Sequence, residues 1–308
     1  MRTFLKNGNG LVQTDTWEPN CWVHVECPTL DDRRFLFEEL QIPEAFYNDV
    51  EDIDERPRIE IEDGWYFIIM RFPIKIQTDD IPYATIPMGL IFRGDVFVSL
   101  SFHTTEVIPD FINFTRRKNI IMENSFDLVL KLSLSSSVWF LKYLKQINYE
   151  IKEAENQLEK SIKNEDLQTL LQIEKCLVLF TTSLKGNDIL VARLKNLRDY
   201  RDTYDEDLME DVEIELRQAL GTTNIYSDIM SGMMNAYASV ISNNLNIVMK
   251  TLTSISIILM IPTLVASFYG MNIPNSFEQN HYGFFIVIAL SFLLSLVVLI
   301  LFRRRNYF

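Results

Sequence analysis

The chain is poor in the residues that interrupt or cross-link a fold. Its 308 residues include three cysteines, Cys21, Cys27 and Cys176. They are too widely spaced for a disulfide framework or a CxxC metal site, which fits a reducing cytosol. Proline is absent from Ser125 to Met260, and glycine occurs there only at 186, 221 and 232. That absence predicts helix across the whole stretch. The three histidines, His24, His103 and His281, stand apart from one another. No HExxH, Gly-x-Ser-x-Gly or glycine-rich phosphate loop is found, so the sequence offers no enzyme signature, no organic cofactor and no ATP-binding motif. The first thirty residues hold no apolar run of signal-peptide length, and Asp15, Glu18 and Glu26 disfavour a transit peptide. The soluble part is therefore expected to stay on the side where it is made.

Positive charge is also scarce, with a formal net charge of −13. Residues 251–308 hold Glu278 against Arg303, Arg304 and Arg305, a net of +2, so residues 1–250 carry −15. An acidic body of that size excludes nucleic acid as a partner, since binding needs a basic surface to replace counterions. It is compatible with attracting cations. Ordinary solubility explains it equally well.

Residues 1–120 read as an α/β domain. β-Rich runs occur at Cys21–Glu26, Arg58–Ile61, Trp65–Phe72, Ile86–Phe92 and Asp95–Ser101, with turns at Glu62-Asp63-Gly64 and Arg93-Gly94-Asp95. Helical patches fall near Asp32–Leu40, Pro43–Asp49 and Thr105–Phe114. Residues 121–250 read as helices and a stalk. Leu141, Leu144, Ile147 and Ile151 recur at helical spacing, as do Ile229, Met233, Ala236 and Val240. Breaks are expected at Lys163-Asn164 and around Arg198–Tyr204. A third helix is expected from Asp205, where Asp205, Glu206 and Asp207 suit the positive end of the helix dipole, with no stop before Gly270.

The apolar residues are concentrated at the C-terminal end. From Thr251 to Phe302 the only formally charged side chain is Glu278. A first span over 251–270 and a second over 282–302 are each about long enough to cross a bilayer. A loop over 271–281 joins them, and a basic tail covers 303–308. Lys250 and Arg303–Arg305 flank the spans while the loop has no Lys or Arg, which places both ends in the cytoplasm. The fold class is thus an α+β cytoplasmic domain, a long helical stalk and two C-terminal transmembrane helices.

The two spans differ. The second has Ser291 and Ser295 as its only hydroxyls, as expected of a helix facing lipid. The first contains Thr251, Thr253, Ser254, Ser256, Thr263 and Ser267. Asn246, Met249, Leu252, Ser256, Met260 and Thr263 follow three- and four-residue spacing and form one face without a carboxylate. Such a face suits a narrow conduit; helix packing is the alternative.

At Tyr269-Gly270-Met271-Asn272 the sequence resembles the CorA family of divalent-cation transporters, whose mark is a Gly-Met-Asn motif ending the first of two C-terminal spans. Asn246-Ile247-Val248-Met249-Lys250, Met260, Pro262 and the terminal arginines extend the resemblance over essentially the whole chain. It implies a homopentamer in the inner membrane of a bacterial cell, with the first spans around a pore and the second outside it. Gly270, Met271 and Asn272 would then form the selectivity filter, with Gly270 permitting a tight turn and Asn272 meeting hydrated Mg2+. Thr263 and Ser256 would form lower rings, Met249 and Leu252 an apolar constriction, and Asn246 the inner ring. The resemblance also implies closure by regulatory Mg2+ bound between cytoplasmic domains, matched best by Asp211; a solvated helix start is the alternative.

Two departures stand out. Asn235 occupies a position where the family often has Asp. The loop lacks the Met-Pro-Glu-Leu stretch common in the family, leaving Glu278 as the only acid at the outer mouth. Passive influx of Mg2+, with Co2+ and Ni2+ as hydrated mimics, is the favoured reading. A Zn2+ exporter of the same superfamily and a non-conducting membrane-tethered sensor are the rivals.

Overall fold

A computed structural model describes residues 1–8, 10–76, 81–160, 164–200, 204–271 and 281–305. Two compact units divide the chain, Met1–Ser231 and Gly232–Phe308.

The first unit is built on a seven-stranded mixed sheet. Its strands are β1 (Arg2–Gly8), β2 (Gly10–Thr14), β3 (Trp22–Glu26), β4 (Arg58–Glu62), β5 (Trp65–Lys75), β6 (Tyr83–Arg93) and β7 (Val96–Ser101), in spatial order β2-β1-β3-β7-β6-β5-β4. Only the β3–β7 pair is parallel, with Val23 beside Val98; the other pairs are antiparallel. The expected strands are all present. β1 and β2 were not expected, because their residues lack a clear apolar alternation: in β1 only Leu5 is fully buried. Gly10 closes this hairpin with φ of +82°, and a Cβ there would meet the Arg116 Cα at 2.6 Å. Glycine is needed both for that backbone and for the close approach of helix α3 (Val107–Lys118).

Both faces of the sheet are covered, which explains why β5 reads as a continuous apolar run. Trp65, Phe67 and Ile69 join a core with Phe46, Tyr47 and Val50 of α2 (Glu44–Glu51), where Phe46 and Phe67 stack at 4.3 Å. The intervening Ile68, Met70 and Phe72 are buried as well, and α4 (Ser125–Lys160) and α5 (Asn164–Lys195) lie against β5. Ahead of α2, α1 (Leu30–Arg34) is capped by Thr29 and runs into a wider π turn over Phe35–Glu39.

Helix α6 (Glu206–Tyr269) is continuous over 64 residues. Asp205 starts it, its Oδ1 accepting from the Asp207 and Leu208 amides at 3.0 and 3.3 Å. Within the first unit α6 buries Met209, Val212, Leu216 and Ala219. The second unit contains the rest of α6 and helix α7 (Gly283–Arg304). Among the described residues these are the two helices long and apolar enough to cross a membrane.

Candidate functional site

The apolar pair of the second unit is organised by which residues each helix hides. On α6, Ser254 is 2% exposed, and Thr251, Ile258, Pro262, Val265 and Tyr269 are half-buried. On α7, Gly283 and Ser291 are buried and Val287, Ser295 and Val298 half-buried. Both sets recur every three or four residues, so each is one helix face. Pro262, Ala266 and Tyr269 share a crevice with Phe284, Val287 and Ser291, so the two faces meet. The two hydroxyl-bearing residues of α7, Ser291 and Ser295, thus lie on its α6-facing side. Their hydroxyls donate to the carbonyls of Val287 and Ser291 at 2.8 and 2.9 Å. Small side chains with their polarity spent inside the helix let two backbones approach. The spacing of Gly283, Val287, Ser291 and Ser295 was the available signal for this seam.

The sequence-derived stripe lies elsewhere. Asn246, Met249, Leu252, Ser256, Met260 and Thr263 are all exposed, with Leu252 at 59% and Met260 at 67%. At 3.6 residues per turn this set lies on the side of α6 opposite the α7-facing set. The face singled out for a conduit is therefore the one that the hairpin leaves open. Its hydroxyls are oriented: Ser256 Oγ donates to the Leu252 carbonyl at 2.9 Å and Thr263 Oγ1 to the Leu259 carbonyl at 3.4 Å. With each proton turned inward, the oxygen lone pairs remain as outward acceptors.

At the outer end, Gly270 lies in the turn that follows α6. It is absent from the positive-φ glycines, and its amide donates to the Ala266 carbonyl at 2.9 Å, continuing the helical pattern. The Met271 amide reaches the Phe268 carbonyl at 3.4 Å, and its side chain is 49% exposed. Asn272 and Glu278 lie outside the described residues.

Asp211 is exposed on α6. Among the described residues no group of three His, Cys, Asp or Glu side chains is placed to hold a metal ion. The three cysteines are free, with Cys21 and Cys176 buried, and burial pushes the Cys176 thiol up to about 11. His24 is buried beside Ser99, its Nδ1 at 2.8 Å from the hydroxyl.

A mixed α/β body whose last helix continues into the first arm of an apolar two-helix hairpin defines a two-span membrane protein. The chain belongs to the CorA-like Mg2+ transporter family, whose model matches residues 17–304. It is 24% identical over 261 residues to the cobalt/magnesium transport protein CorA of Methanocaldococcus jannaschii, covering 83% of this chain and 81% of that protein. The protein of the same name from Thermotoga maritima is 24% identical over 272 residues, covering 84% and 75%. The complete structure of the Methanocaldococcus jannaschii CorA magnesium transporter superposes with a TM-score of 0.85 at 22% identity, covering 100% of this chain and 99% of that one. The likeness shows that the α/β body, long helix and two apolar helices form one shared fold.

Proposed function

We propose that the protein is a passive divalent-cation channel that admits hydrated Mg2+ through a homopentameric pore. The observation that carries this reading is the opposition of faces on α6. Asn246, Met249, Leu252, Ser256, Met260 and Thr263 stand exposed on the side away from α7. Five copies with these faces inward and α7 outward enclose a narrow conduit without burying a charge.

The lining chemistry favours a hydrated ion. Mg2+ holds six oxygens octahedrally and gives up its water reluctantly. A hydrated cation presents water O–H donors outward, and the Ser256 and Thr263 oxygens, their own protons spent on the helix backbone, are acceptors for them. At the mouth, five Asn272 carbonyl oxygens accept from the first water shell, and Glu278 raises the local cation concentration. Met249 and Leu252 form a ring that blocks conduction by dewetting when it narrows. Asn246 forms the polar ring below it. With no carboxylate or histidine in the stripe, the pathway suits Mg2+ and hydrated mimics such as Co2+ and Ni2+ better than dehydrated Zn2+.

Regulation follows from Asp211. Its carboxylate has no ion pair within the chain among the described residues, so carboxylates from adjacent subunits repel until Mg2+ bridges them. Internal Mg2+ thus closes the channel, and its depletion opens it. Lys250 and Arg303–Arg305 keep both ends of the chain in the cytoplasm, and transport runs down the ion's own gradient.

Divalent-ion uptake by liposomes containing the full chain, with Asn272→Ala alongside, tests the reading. Mg2+ influx that collapses in the variant is expected. Zn2+ flux coupled to a proton gradient, without Mg2+ flux, would replace this reading with an exporter. Absence of any flux in sealed vesicles would leave a membrane-tethered sensor.

A further inference from the structure

In the first unit, Asp199, Tyr200 and Tyr204, between α5 and α6, make contacts with the sheet and α4 through aromatic side chains that the ion pathway does not use. The Tyr200 ring lies flat on Phe126 at the start of α4, with centroids 4.6 Å apart and planes within 8°. It also meets the edges of Tyr66 and Phe92 at 5.5 and 6.2 Å. Tyr66 and Phe92 are register partners on β5 and β6 and stack at 4.9 Å. The Tyr66 hydroxyl donates to the carboxylate of Asp199, the neighbour of Tyr200. Burial, then the bond to Asp199, holds the Tyr66 phenol well above its ordinary value, so it remains a protonated donor. Tyr204 adds a second contact to Phe126 at 6.2 Å.

These contacts all precede the first turn of α6. Beyond that turn, Lys195 at the end of α5 reaches Glu213 at 2.9 Å. α6 therefore leaves the body from a fixed point, and Asp211 lies a short way along the same uninterrupted helix.

We propose that Tyr66, Asp199 and Tyr200 form a latch that fixes the starting position of α6 and so sets how much Mg2+ is needed to occupy the Asp211 site. The inference rests on the regulatory reading above. A cation that binds at Asp211 must find the carboxylate in position. With the latch closed, the ordering of α6 has already been achieved by the body. With the latch open, the helix start is held only by the burial of Met209 and Val212 and by Lys195 on Glu213, and the apparent affinity for the cation falls by the fraction of time that the helix is out of place.

The test uses the full-length protein in three forms: wild type, Tyr66→Phe, which keeps the ring and removes the hydroxyl, and Tyr200→Leu, which removes the stack. Amide hydrogen exchange over residues 196–215 is followed against Mg2+ concentration, and liposome Mg2+ influx is followed against internal Mg2+. The variants are expected to exchange faster over 196–206 and to need about fivefold more Mg2+ to protect the start of α6 and to suppress influx, with influx at the lowest internal Mg2+ unchanged. Equal Mg2+ midpoints in all three proteins, or unchanged exchange over 196–206, would overturn the latch. A midpoint shift in exchange between wild type and the variants, with no ion conducted by wild type, would support the latch and remove the channel reading instead. If Tyr200→Leu does not fold, Tyr66→Phe alone decides.

Discussion

The side-chain amide of Asn187 binds the backbone of Arg71 in both directions. Its Oδ1 accepts the Arg71 N–H at 2.9 Å, and its Nδ2 donates to the Arg71 carbonyl at 2.9 Å. β4 pairs with β5 only as far as Arg58 opposite Ile69, so at Arg71 that side of the strand has no strand neighbour. Asn187 supplies from α5 what a strand would have supplied, and Ser136 of α4 adds a donor to the same carbonyl at 3.3 Å. On the other side Pro87 faces Arg71 in register. Its missing N–H costs nothing, because β7 pairs with β6 only from Gly89 onward.

Removing that clamp leaves the buried Arg71 N–H unpaired and its carbonyl with the Ser136 hydroxyl alone. Asn187→Leu is expected to destabilise the first unit by about 2 kcal/mol or more. Thermal unfolding of the purified protein checks this, and an unchanged midpoint would show that the edge of β5 finds other partners.

Acid sensitivity follows from His24. Burial, then the positive N-terminus, lowers its pKa from 6.5 to about 4. Unfolding exposes the ring and lets it take a proton, so this contribution to stability is complete above pH 6.5 and is lost as pH falls towards 4. The loss is on the order of 3 kcal/mol. Unfolding measured between pH 4 and 7.5 should show the decline, and His24→Gln should flatten it.

The seam between α6 and α7 should tolerate no added bulk at Ser291. Ser291→Leu forces a branched side chain between two close helices and is expected to cost about 1–3 kcal/mol, while Ser291→Ala is expected to be near neutral. Thermal stability in detergent separates the two variants.

The apolar constriction is tested at Leu252. Leu252→Ser makes the ring wettable and is expected to raise Mg2+ influx when internal Mg2+ is high, with little change when it is low. Liposome flux at two internal concentrations gives the answer; equal suppression in wild type and variant would remove Leu252 from the gate.

Asp211→Ala is expected to shift suppression of influx to higher internal Mg2+, by about fivefold or more. An unchanged concentration dependence would leave Asp211 as a solvated residue of the α6 start.

Much of the architecture was legible because it depends on residues that exclude alternatives. Without proline from Ser125 to Met260, the chain had little choice but helix. With one charge from Thr251 to Phe302, that segment had little choice but an apolar environment. The long helix from Glu206 follows from the missing stop signals as far as Met260, and it continues through Pro262 to Tyr269. β1 and β2 were not legible, because a strand that buries one side chain carries almost no periodic signal. Pairing β3 with β7 joins residues distant in sequence, and no local pattern encodes it.

The sequence by itself determined the membrane pair, the stripe from Asn246 to Thr263 and the Gly-Met-Asn motif, since each is a matter of residue type and spacing along one helix. The tertiary structure decided which way those faces turn. Ser291 and Ser295 proved to be packing residues, and the stripe proved to be the open side of α6, because a face is defined only by what lies against it. The structure also decided that Asn187 completes β5 and that Tyr200 stacks on Phe126. Both depend on side chains far apart in sequence meeting at one place, and only the folded chain brings them together.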